Sequence, residues 1–151
     1  MAKPVPEALL DSNVLVAAVT ATHVHHTASA ALFAEGSAGR WAVAAHSHAE
    51  AYNTLTKRSG PDPLGRSPAD ARKAVSGVAA VTVLVGLTPA QTLTTIERFA
   101  DGGGVGARLF DFLIGEAARQ AGLRRVITWN VGHFRGLFTD LRVLTPADAL
   151  A

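Results

Sequence analysis

Short, unbroken apolar runs alternate along the chain with longer stretches in which apolar residues return every three or four positions. The runs are Ala8–Asp11, Trp41–Ala45, Val81–Val85, Arg125–Thr128 and Leu141–Leu144. Runs this short, without polar alternation, read as strands buried on both faces, which implies a parallel sheet. The helical period appears after Asn13, from His25 to about Glu35, over His48–Lys57 and over 107–121, where Gly122 supplies a stop. Three more helix starts share one device: Ser67-Pro68, Thr88-Pro89 and Thr145-Pro146 each place a side-chain oxygen at the N-cap and proline at the first helical position. Gly36–Gly39 reads as a turn, Ser59–Arg66 as a loop and Gly102-Gly103-Gly104 as a break. Strands that alternate with helices predict an α/β fold with a mainly parallel five-stranded sheet. No low-complexity tract or change of composition divides the chain, so residues 1–151 are expected to form a single domain.

Composition narrows the function. The chain has 151 residues, 48% of them hydrophobic, enough for a sizeable core and too many for disorder. It has no cysteine, which excludes disulfides, thiolate metal sites and cysteine nucleophiles and suits a cytoplasmic location. Asp11 interrupts the apolar N-terminal run, so no signal peptide is expected. No charge falls between Ala74 and Ile96, but glycines, a proline and threonines break that stretch, and a helix end, a strand and a helix start explain it better than a membrane span. The net charge is +2 and the sequence pI is about 9.5. A gathering of acids at one site would leave the remaining surface more basic still, which favours a polyanionic partner.

Three acids stand in apolar company. Asp11 closes the run Ala8-Leu9-Leu10, where a carboxylate at the end of a parallel strand opens toward the crevice in which α/β sheets hold ligands. With Ser12 and Asn13 it also has the look of a helix cap. Glu50, in Ser47-His48-Ala49-Glu50, fits either a capping box or an acid in the first turn after strand two. Asp111 has Ala107, Ile114 and Ala118 as helical neighbours, an apolar face on which a surface acid is out of place; a buried partner for an arginine is the competing reading. Thr128-Trp129-Asn130 ends strand four with polar side chains, as a site residue or a loop starter would. His23, His25 and His26 read as a solvated loop, and His46 and His48 have no direction fixed by the sequence.

Taken in order, these motifs resemble the PIN-domain ribonucleases, in particular the toxins of VapBC-type toxin–antitoxin pairs. Leu9-Leu10-Asp11-Ser12-Asn13 looks like the family's opening motif. Glu50 in Ala49-Glu50-Ala51-Tyr52 matches its second acid, Asp111 in Phe110-Asp111-Phe112-Leu113-Ile114 its third, and Thr128-Trp129-Asn130-Val131-Gly132-His133-Phe134 its closing motif. Many members carry Asp where this chain has Asn130, a neutral oxygen that lowers the charge available to a cation.

The resemblance implies a three-layer α/β/α fold. It also implies a metal-dependent endoribonuclease in which Asp11, Glu50, Asp111 and Asn130 form the catalytic set. Asp11, Asp111 and Glu50 would hold Mg²⁺ or Mn²⁺, hard cations that prefer carboxylate oxygen. Ser12, Asn13 and Thr128 would hydrogen-bond the ligating carboxylates. Lys57, Arg58, Arg66 and Arg135 are candidate guides for the RNA backbone, each equally readable as surface charge. An antitoxin partner and a homodimer come with the family. Two other classes compete. A phosphoryl-transfer enzyme of the haloacid-dehalogenase or receiver type would need a second acid beside Asp11 and a late lysine, and no lysine follows Lys73. A catalytically weak PIN fold that only binds nucleic acid or protein is compatible with Asn130.

Overall fold

The computed structural model describes residues 5–151. Its centre is a five-stranded, all-parallel sheet. The strands are β1 (Ala8–Leu10), β2 (Trp41–Ala44), β3 (Val83–Val85), β4 (Arg125–Ile127) and β5 (Arg142–Leu144), in the order β3-β2-β1-β4-β5. The helices are α1 (Ser12–Ala18), α2 (His26–Ala31), α3 (Ala45–Thr56), α4 (Pro68–Val81), α5 (Pro89–Asp101), α6 (Arg108–Gln120), α7 (Val131–Arg135) and α8 (Pro146–Ala149).

β1 and β2 are apolar throughout because each of their residues faces one of two cores. In β1, Ala8 and Leu10 point to the core shared with Val14, Leu15 and Leu55, while Leu9 points to the core shared with Ile114, Ala118 and Phe134. β2 divides the same way: Trp41 and Val43 join the first core, Ala42 and Ala44 the second. α1, α3 and α4 pack over one face and α6 and α7 over the other, giving the three-layer α/β/α arrangement. The three Ser/Thr-Pro starts form as expected: Ser67, Thr88 and Thr145 each accept a backbone N–H, from Asp70, Gln91 and Asp148.

Several predicted boundaries shift, among them the start of α3, which lies at Ala45 rather than His48. α4 runs on through Val81, so β3 is shorter than the β-branched run suggested. It is also an edge strand, with Leu84 65% exposed. α2 ends at Ala31 rather than near Glu35. α7 has no counterpart in the sequence reading, because five residues that include Gly132 carry too little periodicity to register.

The topology positions the site. From β1 the chain moves outward to β2 and β3, then crosses back to β4 on the other side of β1. The carboxyl ends of β1 and β4 therefore flank the point where strand order reverses, where the diverging connections leave a crevice. Gly115 on α6 lets the segment after α7 close down: a Cβ there would lie 2.1 Å from the Phe138 ring. No helix of the described residues is long and apolar enough to cross a membrane.

Candidate active site

Asp11 follows β1 and caps α1, and it is only 4% exposed. Its backbone N–H still bonds the Ile127 carbonyl of β4 at 3.0 Å, so the sheet ladder fixes its position. Its Oδ1 accepts from the Ser12 N–H at 2.8 Å and its Oδ2 from the Thr128 hydroxyl at 2.8 Å. The cap reading holds, and the same bonds fix the Asp11 carboxylate at the end of β1. Asn13 ties the two strand ends together. Its Nδ2 donates to Thr128 Oγ1 at 3.2 Å and its Oδ1 accepts from the Trp129 N–H at 3.2 Å.

Glu50 arrives from the opposite side of β1. The capping-box reading fails, because α3 begins at Ala45 with Ala44 as its N-cap. Ser47 is consequently inside the helix, buried, with its hydroxyl unpartnered. Glu50 sits in the second turn rather than the first, with His46 Nε2 3.5 Å from its Oε1. Asp111 lies in the first turn of α6, half-buried, with His133 Nδ1 3.6 Å from its Oδ2.

The three carboxylates feel one another. Burial pushes Asp11 up to about 6, against the lowering effect of its Thr128 and Ser12 hydrogen bonds, and the charge on Asp111 adds to the rise. Glu50 is pushed up to about 7, first by burial and then by the charges on Asp11 and Asp111. Burial also raises Asp111, while His133 and Arg108 hold it back. Among the described residues no lysine or arginine forms an ion pair with Asp11, Glu50 or Asp111. Nor do three histidine, aspartate or glutamate side chains there stand close enough to form a ready metal cage. A hydrated Mg²⁺, which takes only one or two carboxylates directly and reaches others through water, does not require one. Hard oxygen donors whose charges raise one another's pKa are a donor set that fits such a cation.

The other predicted residues divide. Thr128 is fully buried at the centre of the network and receives the Asn130 N–H at 3.0 Å. Asn130 itself is exposed at the N-cap of α7, and its side chain makes no capping bond. Lys57 and Arg58 are exposed. Arg66 is committed to the Val19 carbonyl and Arg135 donates to the Val143 carbonyl at 3.3 Å, which makes both struts of the fold. The histidine loop is not simply solvated: His25 stacks on Trp129 at 3.8 Å, and a His26 ring nitrogen lies 2.9 Å from the Ala17 carbonyl. Arg108 and His133 went unnoticed in the sequence. Arg108 stands three residues before Asp111 on the same helix and donates to the His133 carbonyl at 3.0 Å, a spacing that could have flagged it. A cavity of about 720 Å³ lies elsewhere, between α1, α2 and α4, and none of the acids of the crevice lines it.

Comparison with known proteins agrees with this fold. Among curated protein sequences no relative matches. Solved structures do match: the sarcin-ricin-loop-cleaving toxin VapC20 of Mycobacterium tuberculosis superposes with a TM-score of 0.67 at 15% identity, covering 90% of this chain and 99% of that one. FitAcB from Neisseria gonorrhoeae gives 0.63 at 18% identity, with 92% and 97% covered. VapBC2 from Rickettsia felis, solved with a DNA fragment from its promoter, gives 0.61 at 13% identity, with 91% and 97% covered. At these identities the likeness is one of fold. The sequence itself is matched over residues 8–135 by the model of the PIN domain, from the first residue of β1 to the last of α7, and the chain belongs to the PIN-domain family.

Proposed function

We propose that the protein is a metal-dependent endoribonuclease and the toxin of a toxin–antitoxin pair, with residues 1–151 forming one PIN-like domain. One observation supports the reading: beside the point where strand order reverses, the charge on Asp111 raises Asp11 and the charges on both raise Glu50, and among the described residues no lysine or arginine is ion-paired to any of the three. Uncompensated charge of that kind costs stability and is kept where it has a task.

Asp11, Asp111 and Glu50 would hold Mg²⁺ or Mn²⁺. When bound, the cation would acidify a coordinated water and neutralise charge on the phosphate. The protein's own residues do the rest. The Ser12 N–H and the Thr128 hydroxyl fix both Asp11 oxygens, and Asn13 locks Thr128 against the start of α1. Glu50, half-buried beside Asp11 and Asp111, would bind or orient the attacking water. Arg108, at the rim beside Asp111 and His133, is placed to meet the backbone of the RNA. Among the matched structures are a toxin that cleaves the sarcin-ricin loop and a VapBC complex, and these support an RNA substrate and an antitoxin partner for this chain. A homodimer and a cytoplasmic location complete the proposal.

The test is hydrolysis of single-stranded RNA by the purified protein with Mg²⁺ or Mn²⁺, with and without EDTA, beside Asp11→Asn. Cleavage that needs the metal and is lost in Asp11→Asn is expected. RNA binding without cleavage by the wild type would favour the other reading, a binding module weakened by Asn130.

A further inference from the structure

Next to the acid crevice, on its β3 side, is a second and smaller concavity of about 170 Å³. Its walls are Ala44 and His46 at the β2–α3 junction, Gly86 and Leu87 after β3, Thr92 on α5, and Leu113 on α6. His46 belongs to both places. Its Nε2 lies 3.5 Å from Glu50 Oε1, in the crevice, and it forms part of the pocket wall. Its ring also stacks on Phe110, with centroids 5.3 Å apart and planes 19° from parallel. Phe110 is the residue before Asp111 and is 44% exposed, although neighbours on the same helix are buried. A stacked, exposed aromatic pair therefore bridges α3 and α6 directly beside two of the three acids, and it borders an apolar recess.

We propose that this pocket is a nucleobase subsite, receiving one unpaired base of the RNA strand whose phosphate lies at the acids, with His46, held in place by its stack on Phe110, as the aromatic part of its wall. The proposal rests on the ribonuclease reading and deepens it. An apolar recess edged by an imidazole suits a flat heterocycle, since every base offers a π-face to an aromatic side chain. A base inside a duplex cannot leave its stack without cost, so the subsite makes the enzyme selective for single strands or loops. The space beside Gly86 is open: a Cβ there would meet only the Ala45 Cβ, at 3.9 Å.

The experiment measures binding of a short, fluorescently labelled single-stranded RNA in EDTA, so that nothing is cleaved, together with a series of the same oligomer carrying one abasic nucleotide at each position in turn. Wild-type protein should lose about tenfold in affinity for one abasic position. His46→Ala should bind the intact oligomer with about that same loss and become indifferent to the abasic position. Thr92→Phe, which fills the recess without touching the acids, should do likewise. His46→Phe should restore both affinity and discrimination, which a merely structural role would not predict, and melting curves would verify that each variant is folded. Equal affinities in wild type, His46→Ala and Thr92→Phe, or a position-independent abasic scan, would overturn the subsite while leaving metal-dependent cleavage standing. Position-dependent binding by a protein that never cleaves would sink the nuclease reading and keep the subsite. Absence of any RNA binding would overturn both.

Discussion

Two parts of the molecule bury acids, and they treat them in opposite ways. Glu116, on α6, is 4% exposed and is surrounded by donors: Arg98 at 3.1 Å, Arg119 at 3.0 Å and the Gln120 amide at 3.1 Å. Arg98 comes from α5, so this carboxylate pins two helices together. Little more than one turn away on the same helix, Asp111 faces Asp11 and Glu50 across the crevice with no such partners, only His133 at 3.6 Å and the field of Arg108. Asp11, as buried as Glu116, has hydrogen bonds from Ser12 and Thr128 and no paired arginine or lysine among the described residues. Burial alone therefore does not mark a functional acid. What separates the two regions is whether arginines are paired to the buried carboxylate: among the described residues they are at Glu116 and are not at Asp11.

The largest effect should be on catalysis. Asp111→Ala is expected to lower the rate of metal-dependent RNA cleavage by at least ~10³-fold, the scale of losing a group that acts on the transition state. Glu116→Gln should leave the rate per folded molecule within about twofold, because its partners lie on the structural side of α6. Single-turnover cleavage of a labelled RNA measures both, and comparable losses in the two variants would erase the distinction.

Stability should move with the opposite sign. Asp11 titrates at about 6 in the fold against 3.8 in the unfolded chain. The folded state therefore binds more protons between those values, and its stability falls as pH rises through that window, by on the order of 3 kcal/mol for Asp11 when complete. Glu50 acts in the same direction up to about pH 7. In Asp11→Asn this part of the decline should vanish, and the metal-free variant should melt higher than wild type at neutral pH. Added Mg²⁺ or Mn²⁺ should raise the wild-type Tm more at about pH 8 than at about pH 5, since protons compete for the same oxygens. Glu116→Ala should lower stability by about 2 kcal/mol at neutral pH, the scale of hydrogen bonds to a charged group; the two arginines it abandons can turn to water. Thermal melts across pH, with and without metal, would read all of this. A wild-type Tm that climbs from about pH 4 to 7 by as much as that of Asp11→Asn would contradict the raised carboxylates.

What the sequence made visible depended on how many residues carried each signal. The five strands and most of the helices were legible because their apolar runs and Ser/Thr-Pro starts repeat one pattern over many positions. Asp11 and Asp111 stood out because an acid contradicts its apolar neighbours. Glu50 was harder: Ser47 and Glu50 have the spacing of a cap. Only the tertiary start of α3 at Ala45 shows that the box does not form. Arg108 had only its spacing from Asp111 to flag it, and its contact with His133 lies across 25 residues, at 3.0 Å, where no local pattern reaches. The stack of His46 on Phe110 joins α3 to α6, and nothing local in either segment announces the other.

Asn130 is the finest probe of the boundary between the charged crevice and its frame. Its backbone N–H bonds Thr128 Oγ1, the hydroxyl that in turn holds Asp11. Its side chain, at the N-cap of α7, makes no capping bond. Asn130→Asp has two distinguishable outcomes. If the new carboxylate joins the crevice, a fourth negative charge should tighten cation binding and lower the metal concentration for half-maximal cleavage, by about fivefold or less, as expected for charges a few ångströms apart near water. The metal-free protein should then lose stability as the repulsion grows. If position 130 belongs to the frame instead, the carboxylate should cap α7 and meet the positive end of its dipole, which stabilises the apo protein by a few tenths of a kcal/mol. The metal requirement would then stay where it was. A metal titration of cleavage paired with an apo melt separates the two, because they predict opposite signs for the change in apo stability. An unchanged metal requirement in a less stable apo protein would fit neither, and would place Asn130 outside the crevice altogether.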